Sequence, residues 1–308
     1  MEHYCDCHHD HDFEETDNHG NKYEQAFSKF NLHLDDEKIY ATAQKMVAEH
    51  KGEYDTPETR MQLLAAIELT TLKVTDSPES VLQLTEKVNR LSDEHPELPH
   101  MAALCVYPNF AGIVSSSLEV EGMAVTCVSG GFPSSQTFPE VKTIETALAV
   151  RDGATEIDTV LSVGAFLSGD YETCADEIAE IKDTCGENPL KVILETGALQ
   201  TAANIKRAAI LSIFAGADFI KTSTGKIEPA ATPEAALVMC QTIQEYQALT
   251  GTKIGFKAAG GISTIDEALT YYTIVREILG EDYIKEGYFR IGTSRLAHEL
   301  LKDFDVEF

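Results

Sequence analysis

A run of apolar residues of strand type, Ala217 to Ile220, ends in Lys221 and opens into a hydroxyl-rich turn, Thr222-Ser223-Thr224-Gly225-Lys226. An ammonium group against an apolar wall is costly, so it neutralises, finds a partner or sits in a functional cleft. A neutral lysine is an amine nucleophile, and a glycine-containing turn lets backbone N–H groups converge on an anion. Reactive amine and anion seat would then lie a few residues apart. Read alone, the stretch is equally compatible with a lysine that snorkels out of a strand end.

Two further residues change that balance. Lys257 ends another β-like run and Asp158 stands in a third. Lowering a lysine from about 10.4 to about 7 requires roughly 4 to 5 kcal/mol. A second ammonium about 4 Å away, at an effective dielectric near 20, supplies about 4 kcal/mol of that. A lysine pair can therefore hold one neutral amine, which attacks a carbonyl and forms a Schiff base whose iminium accepts electrons from a breaking carbon–carbon bond. Asp158 could move protons as the carbinolamine collapses. Charge arithmetic does not say which lysine is the nucleophile, because the two titrations are coupled.

The elements that would position these groups recur with one rhythm from Thr56 onward. Strand-like runs at 67–70, 101–107, 123–128, 155–160, 190–195, 217–221, 253–257 and 288–291 alternate with helical patterns at 77–91, 139–151, 171–185, 202–215, 232–249, 264–279 and 294–301. Counting a weaker helix after Pro108, eight β-plus-α units argue for an α/β fold, a closed (β/α)8 TIM barrel. No Gly-x-Gly-x-x-Gly follows the first strand, which lowers a dinucleotide-binding reading. Three segments are expected: an acidic, disordered Cys/His-rich tail (1–20), an N-terminal helical extension over an end of the barrel (21–55) and the barrel itself (56–308).

Barrel chemistry collects at the carboxyl ends of the strands. Thr70, Asp158, Lys221 and Lys257 are expected there, with Thr224-Gly225-Lys226, Gly260-Gly261 and Ser294-Arg295 in the last three loops as a phosphate seat. Strand parity puts Glu156 and Asp158 on one face and Lys191 on another strand's inward face. Glu156 and Lys191 are read as a structural ion pair low in the barrel.

The formal charge of −27, from 51 acidic against 24 basic residues, argues against nucleic acid or an anionic membrane as partner. An anionic substrate then needs a local basic pocket. Seven cysteines at no framework spacing suggest a reduced, cytoplasmic protein. Neither a signal peptide nor a run of spanning length is evident. The tail's Cys5, Cys7, His8 and His9 could ligate a soft metal but lack a second ligand pair, so a solvated tail is expected and no metal site is assigned.

The ordered motifs Glu68-Leu69-Thr70-Thr71-Leu72, Cys105-Val106-Tyr107-Pro108, Glu156-Ile157-Asp158, Lys191 to Gly197, Phe219 to Lys226, Gly255-Phe256-Lys257-Ala258-Ala259-Gly260-Gly261 and Arg290-Ile291-Gly292-Thr293-Ser294 resemble those of the deoxyribose-phosphate aldolase family of class I aldolases. The resemblance implies a (β/α)8 barrel that reversibly cleaves 2-deoxy-D-ribose 5-phosphate to D-glyceraldehyde 3-phosphate and acetaldehyde, without metal or organic cofactor. It implies that Lys221 is the Schiff-base lysine, Lys257 the lysine that lowers its pKa and Asp158 the proton-shuttling aspartate. Glu68, Thr70 and Cys105 are implied near the substrate pocket. Family members often have aspartate at Glu68, proline at Ala258 and serine at Arg295. Some end in a proton-transferring tyrosine, whereas this chain ends in Phe308. The partners expected are a small sugar phosphate and an aldehyde, with a homo-oligomer open. The rival readings are another Schiff-base aldolase or transaldolase acting on a keto-sugar phosphate, a non-catalytic sugar-phosphate-binding barrel, and metal buffering by the tail.

Overall fold

The computed structural model describes residues 21–308, so the 1–20 tail and its metal-binding reading lie outside the described residues. Eight parallel strands close into one barrel in sequence order: β1 (Ile67–Thr70), β2 (Ala103–Val106), β3 (Ala124–Ser129), β4 (Glu156–Val160), β5 (Leu190–Ile193), β6 (Phe219–Lys221), β7 (Gly255–Ala259) and β8 (Phe289–Thr293), with β8 pairing back onto β1. Each strand is covered on the outside by helices, so even its outward residues are apolar and buried, as parallel sheets require. Ile220 and Phe256 are examples, and Phe256 stacks on Phe289 with the ring planes 4° apart.

Short polar signals start the outer helices. Thr56, Ser77 and Thr232 each cap a helix through the side-chain oxygen, and each is followed by a proline whose fixed φ suits the first turn. Thr264 and Glu267 form a capping box on Ile265–Ile278. Gly251, at φ 78°, ends Pro233–Thr250.

The expected alternation is therefore present, with two differences. The segment at 21–55 holds helices Asn21–Phe27 and Asp36–His50, but rather than capping an end of the barrel they lie against the outer helices Ala202–Phe214, Pro233–Thr250 and Ile265–Ile278. The Asp36 carboxylate accepts a hydrogen bond from the Ala202 N–H at 2.8 Å, and Lys51 pairs with Asp266 at 2.6 Å. The second difference is register. β7 runs to Ala259, two residues beyond the expected end, so Lys257 stands at the middle of its strand and Asp158 at the middle of β4. Both point into the barrel rather than out of its mouth.

Candidate active site

Period-2 alternation sends Lys221 inward from β6, beside Lys257 in the strand register, while Asp158 pairs with Lys191 and Lys257 with Arg290. Glu68, Asp158, Lys191 and Lys257 are wholly buried and Lys221 is 3% exposed. One carboxylate oxygen, Asp158 Oδ2, accepts from Lys221 Nζ at 2.7 Å and from Lys257 Nζ at 2.6 Å. The other, Oδ1, accepts from Lys191 Nζ at 3.1 Å. Lys257 also donates to Glu68, and Lys191 to Glu156. Arg290 closes the cluster, 3.7 Å from Glu68 and 3.5 Å from Glu156. The expected Lys191–Glu156 pair is thus present, but as one edge of a network that reaches Asp158.

Phe219 floors this cluster, with Arg290 and Lys191 about its ring at 5.7 and 6.0 Å. Gly255 leaves the room for that ring, since a Cβ there would stand 2.1 Å from it.

The network joins four basic side chains, Lys191, Lys221, Lys257 and Arg290, to three acidic ones, Glu68, Glu156 and Asp158. Buried charge is tolerated when it is matched, so the cluster balances if one base gives up its proton. Lys221 is the one. Burial pushes its ammonium below the ordinary lysine value and the charge of Lys257 adds to this, while Asp158 opposes. On Lys257 burial acts in the same direction, but Asp158 and Glu68 outweigh it and push the group up to about 12. Lys191 is likewise raised, against burial, by Asp158, Glu156 and Glu68. Burial alone would raise the Asp158 carboxyl, yet the three ammonium groups hold it well below the usual carboxylate range. The expectation that Lys257 chiefly depresses Lys221 is corrected in one respect, because desolvation is the larger cause.

Above the lysines a cavity of about 230 Å³ opens at the carboxyl ends of β6, β7, β8 and β1. It gathers Lys221 with the expected Thr70, Thr224, Gly225, Lys226, Gly260, Gly261, Ser294 and Arg295. Four basic side chains, Lys73, Lys221, Lys226 and Arg295, line it, and no described Asp or Glu does. In a chain of charge −27 that is a local inversion of sign. Lys73, Lys226 and Arg295 have no ion-pair partner among the described carboxylates. Gly225 and Gly260 let two loops meet here. Both have positive φ, 74° and 90°, and a Cβ on Gly260 would stand 3.2 Å from the Gly225 Cα and 2.6 Å from the Ala230 Cβ.

Several details differ from the sequence reading. The Thr224 hydroxyl donates to Glu195 at 2.6 Å and accepts from the Lys226 N–H at 3.1 Å, so it shapes the turn. Lys226 Nζ donates to the Leu72 carbonyl. Arg295 precedes the last helix, Leu296–Lys302, instead of sitting in its first turn. Thr293 binds that corner, donating to the Ile262 carbonyl and accepting from the N–H groups of Arg295 and Leu296. Glu68 and Cys105 do not line the cavity; Glu68 is a counter-ion of Lys257, and the buried Cys105 packs with Leu72 and Val128. Burial raises the Cys105 thiol pKa. Lys73 and Arg290 were not anticipated as parts of the site. Arg290 carried a readable signal, its strand parity with Gly292, whereas Lys73 sits in a loop without one.

Comparison with known proteins agrees with this geometry. A Caenorhabditis elegans relative is 42% identical over 271 residues, covering 87% of this chain and 89% of the relative. Human deoxyribose-phosphate aldolase is 38% identical over 250 residues, covering 78% of this chain and 79% of its own. The solved structure of the Aeropyrum pernix deoxyribose phosphate aldolase, described as a tetramer, superposes with a TM-score of 0.64 at 24% identity, over 85% of this chain and 97% of that one, and so attests the fold. Residues 67–277, from the first residue of β1 into the helix Ile265–Ile278, match the family described as DeoC/LacD family aldolase. That span carries Asp158, Lys221 and Lys257, and on this evidence the chain belongs to the DeoC/LacD aldolase family.

Proposed function

We propose that the protein reversibly cleaves 2-deoxy-D-ribose 5-phosphate to D-glyceraldehyde 3-phosphate and acetaldehyde through an imine on Lys221. The observation that carries the reading is a buried lysine with a depressed pKa, sharing a carboxylate with a second lysine, directly below a cavity lined only by cations among its described charged residues. Human deoxyribose-phosphate aldolase, as a relative, supports the substrate.

Neutral Lys221 adds to the C1 aldehyde of the open-chain sugar, and loss of water from the carbinolamine gives the protonated imine. Removal of the C3 hydroxyl proton breaks the C2–C3 bond. The electron pair moves to the nitrogen as an enamine, and the phosphorylated aldehyde departs. Protonation of the enamine carbon and hydrolysis release acetaldehyde and return the amine. Asp158, beside Lys221 Nζ, is the proton carrier in this scheme. Its depressed pKa makes it a weak base while three ammonium groups surround it. In the neutral, attacking form of Lys221 one of the three charges is absent, which raises the basicity of Asp158 before the carbinolamine forms.

Lys226 and Arg295, with backbone N–H groups of the Gly225, Gly260 and Ser294 loops, hold the phosphate. No organic cofactor or metal enters the scheme. The five described cysteines are free and buried, and no described helix is long and apolar enough to cross a membrane. Both suit the reading of a cytoplasmic enzyme of deoxyribonucleotide catabolism. The tetrameric Aeropyrum relative supports a homo-oligomer. Reduction with borohydride in the presence of acetaldehyde, followed by mass mapping, should label the peptide containing Lys221. Label on Lys257, or on no lysine, overturns the assignment.

A further inference from the structure

The cavity above Lys221 does not end at the phosphate seat. It shares Thr70, Thr71, Lys73 and Ser294 with a larger groove of about 510 Å³, which runs outward between the helix Pro78–Glu94 and the last helix. Lys87 and Arg90, one turn apart on the first of these helices, line the groove with His298 from the second. Both cations are exposed, and neither forms an ion pair with a described carboxylate. Lys87 instead lies over the Phe308 ring, 5.4 Å from its centre, and His298 packs on the same ring at 5.1 Å. His298 is held below its ordinary pKa by burial and by the charges of Lys87 and Lys302, with Glu299 opposing.

Two carboxylates also line the groove. Asp76 is engaged locally: it accepts from the Thr71 hydroxyl and from the Lys73 N–H, each at 2.8 Å. Glu86 remains, against Lys73, Lys87 and Arg90. The groove is therefore a basic extension of a basic cavity, with Lys73 at the junction.

A ligand that carries a single phosphate fills the seat and leaves these outer cations unmatched. We infer that the groove is a second anion subsite, and that a linear phosphoryl chain, such as the triphosphate of a nucleotide, binds with one phosphoryl group in the seat and the next ones along Lys73, Lys87 and Arg90. Such a ligand blocks the substrate cavity and acts as a competitive inhibitor. The inference rests on the reading of the cavity as a phosphate seat.

Inhibition of deoxyribose 5-phosphate cleavage by inorganic phosphate, tripolyphosphate and deoxyadenosine triphosphate, without divalent cations, tests both layers. Tripolyphosphate is expected to compete at least about tenfold more tightly than phosphate, the scale of two or three exposed charge pairs. The double variant Lys87→Ser/Arg90→Ser should bring that ratio back to within about threefold, while the KM for the sugar phosphate stays within about twofold. Equal potency of tripolyphosphate and the nucleotide assigns the groove to the phosphoryl chain. Tighter binding of the nucleotide that is also lost in the double variant extends the subsite to the nucleoside. Phosphate that competes no less tightly than tripolyphosphate, or a double variant with an unchanged ratio, overturns the inference. Failure of phosphate itself to compete counts against the seat instead.

Discussion

Lysine does two different jobs in one barrel. Lys191, Lys221 and Lys257 lie inside it, each within 3.1 Å of an Asp158 oxygen and each almost or wholly without exposure. Lys73, Lys226 and Arg295 stand at the mouth, exposed, around a cavity without described carboxylates. In the interior, solvent cannot screen, so burial and fixed counter-ions decide which amine is neutral and which is charged. At the rim solvent screens each charge, and no described carboxylate lining the cavity is fixed against the set. Sequence position next to a strand end therefore says little about a lysine's role until its counter-ions are known.

The sharpest test of that contrast is Lys221→Met. If the interior supplies the nucleophile, turnover should fall by about four orders of magnitude or more, the scale of losing a covalent catalyst, and borohydride labelling should vanish while phosphate still binds. Retained labelling would move the nucleophile to Lys257.

A smaller loss is expected from Asp158→Asn. The amide nearly matches the carboxylate in shape but cannot take up a proton, so kcat should drop by about a hundredfold or more with phosphate affinity kept. An unchanged kcat would assign the proton transfer to another group or to water.

The pH profile separates the two lysines. Since Lys221 must be neutral to attack, kcat/KM should fall as pH drops through its lowered pKa. Lys257→Met removes a like charge that lowers Lys221, so this acid limb should shift upward. Lys257→Arg keeps the charge and should leave the limb where it is. A limb that stays put in both variants would leave burial as the sole cause of the shift.

Changes at the rim should be mildest and confined to KM. Lys226→Ser should raise KM for deoxyribose 5-phosphate about tenfold and Arg295→Ser several-fold, with little change toward unphosphorylated deoxyribose. Equal effects on both sugars would mean that these residues support the fold or the reacting carbon.

The barrel was legible because eight β-plus-α units leave few closed solutions, and the Thr-Pro and Ser-Pro pairs mark helix starts by local chemistry. The loops of Gly225 and Gly260 were legible as glycine turns beside the strand ends, and they meet at the cavity. Other parts were not. Lys73 belongs to the cavity only because β1 and β8 are neighbours across the closure, a relation between residues more than two hundred positions apart. Glu68 likewise meets Lys257 across the barrel's interior, and a strand pattern gives no measure of that span. The helices Asn21–Phe27 and Asp36–His50 had helical spacing, but which surface they cover depends on the apolar faces left open by three distant helices.

By itself the sequence determined which residues could carry chemistry and which face of each strand they share, because residue type is local and the strand period is two. Only the tertiary structure decided how charge is distributed among them. A lysine in the middle of β7 and one at the end of β6 differ by nothing that composition records. Yet Lys257 receives Glu68 and half of Asp158 as counter-ions and stays charged, whereas Lys221 shares Asp158 alone and yields its proton more readily. Electrostatic energy depends on distance and dielectric, and both are properties of the closed barrel rather than of the chain.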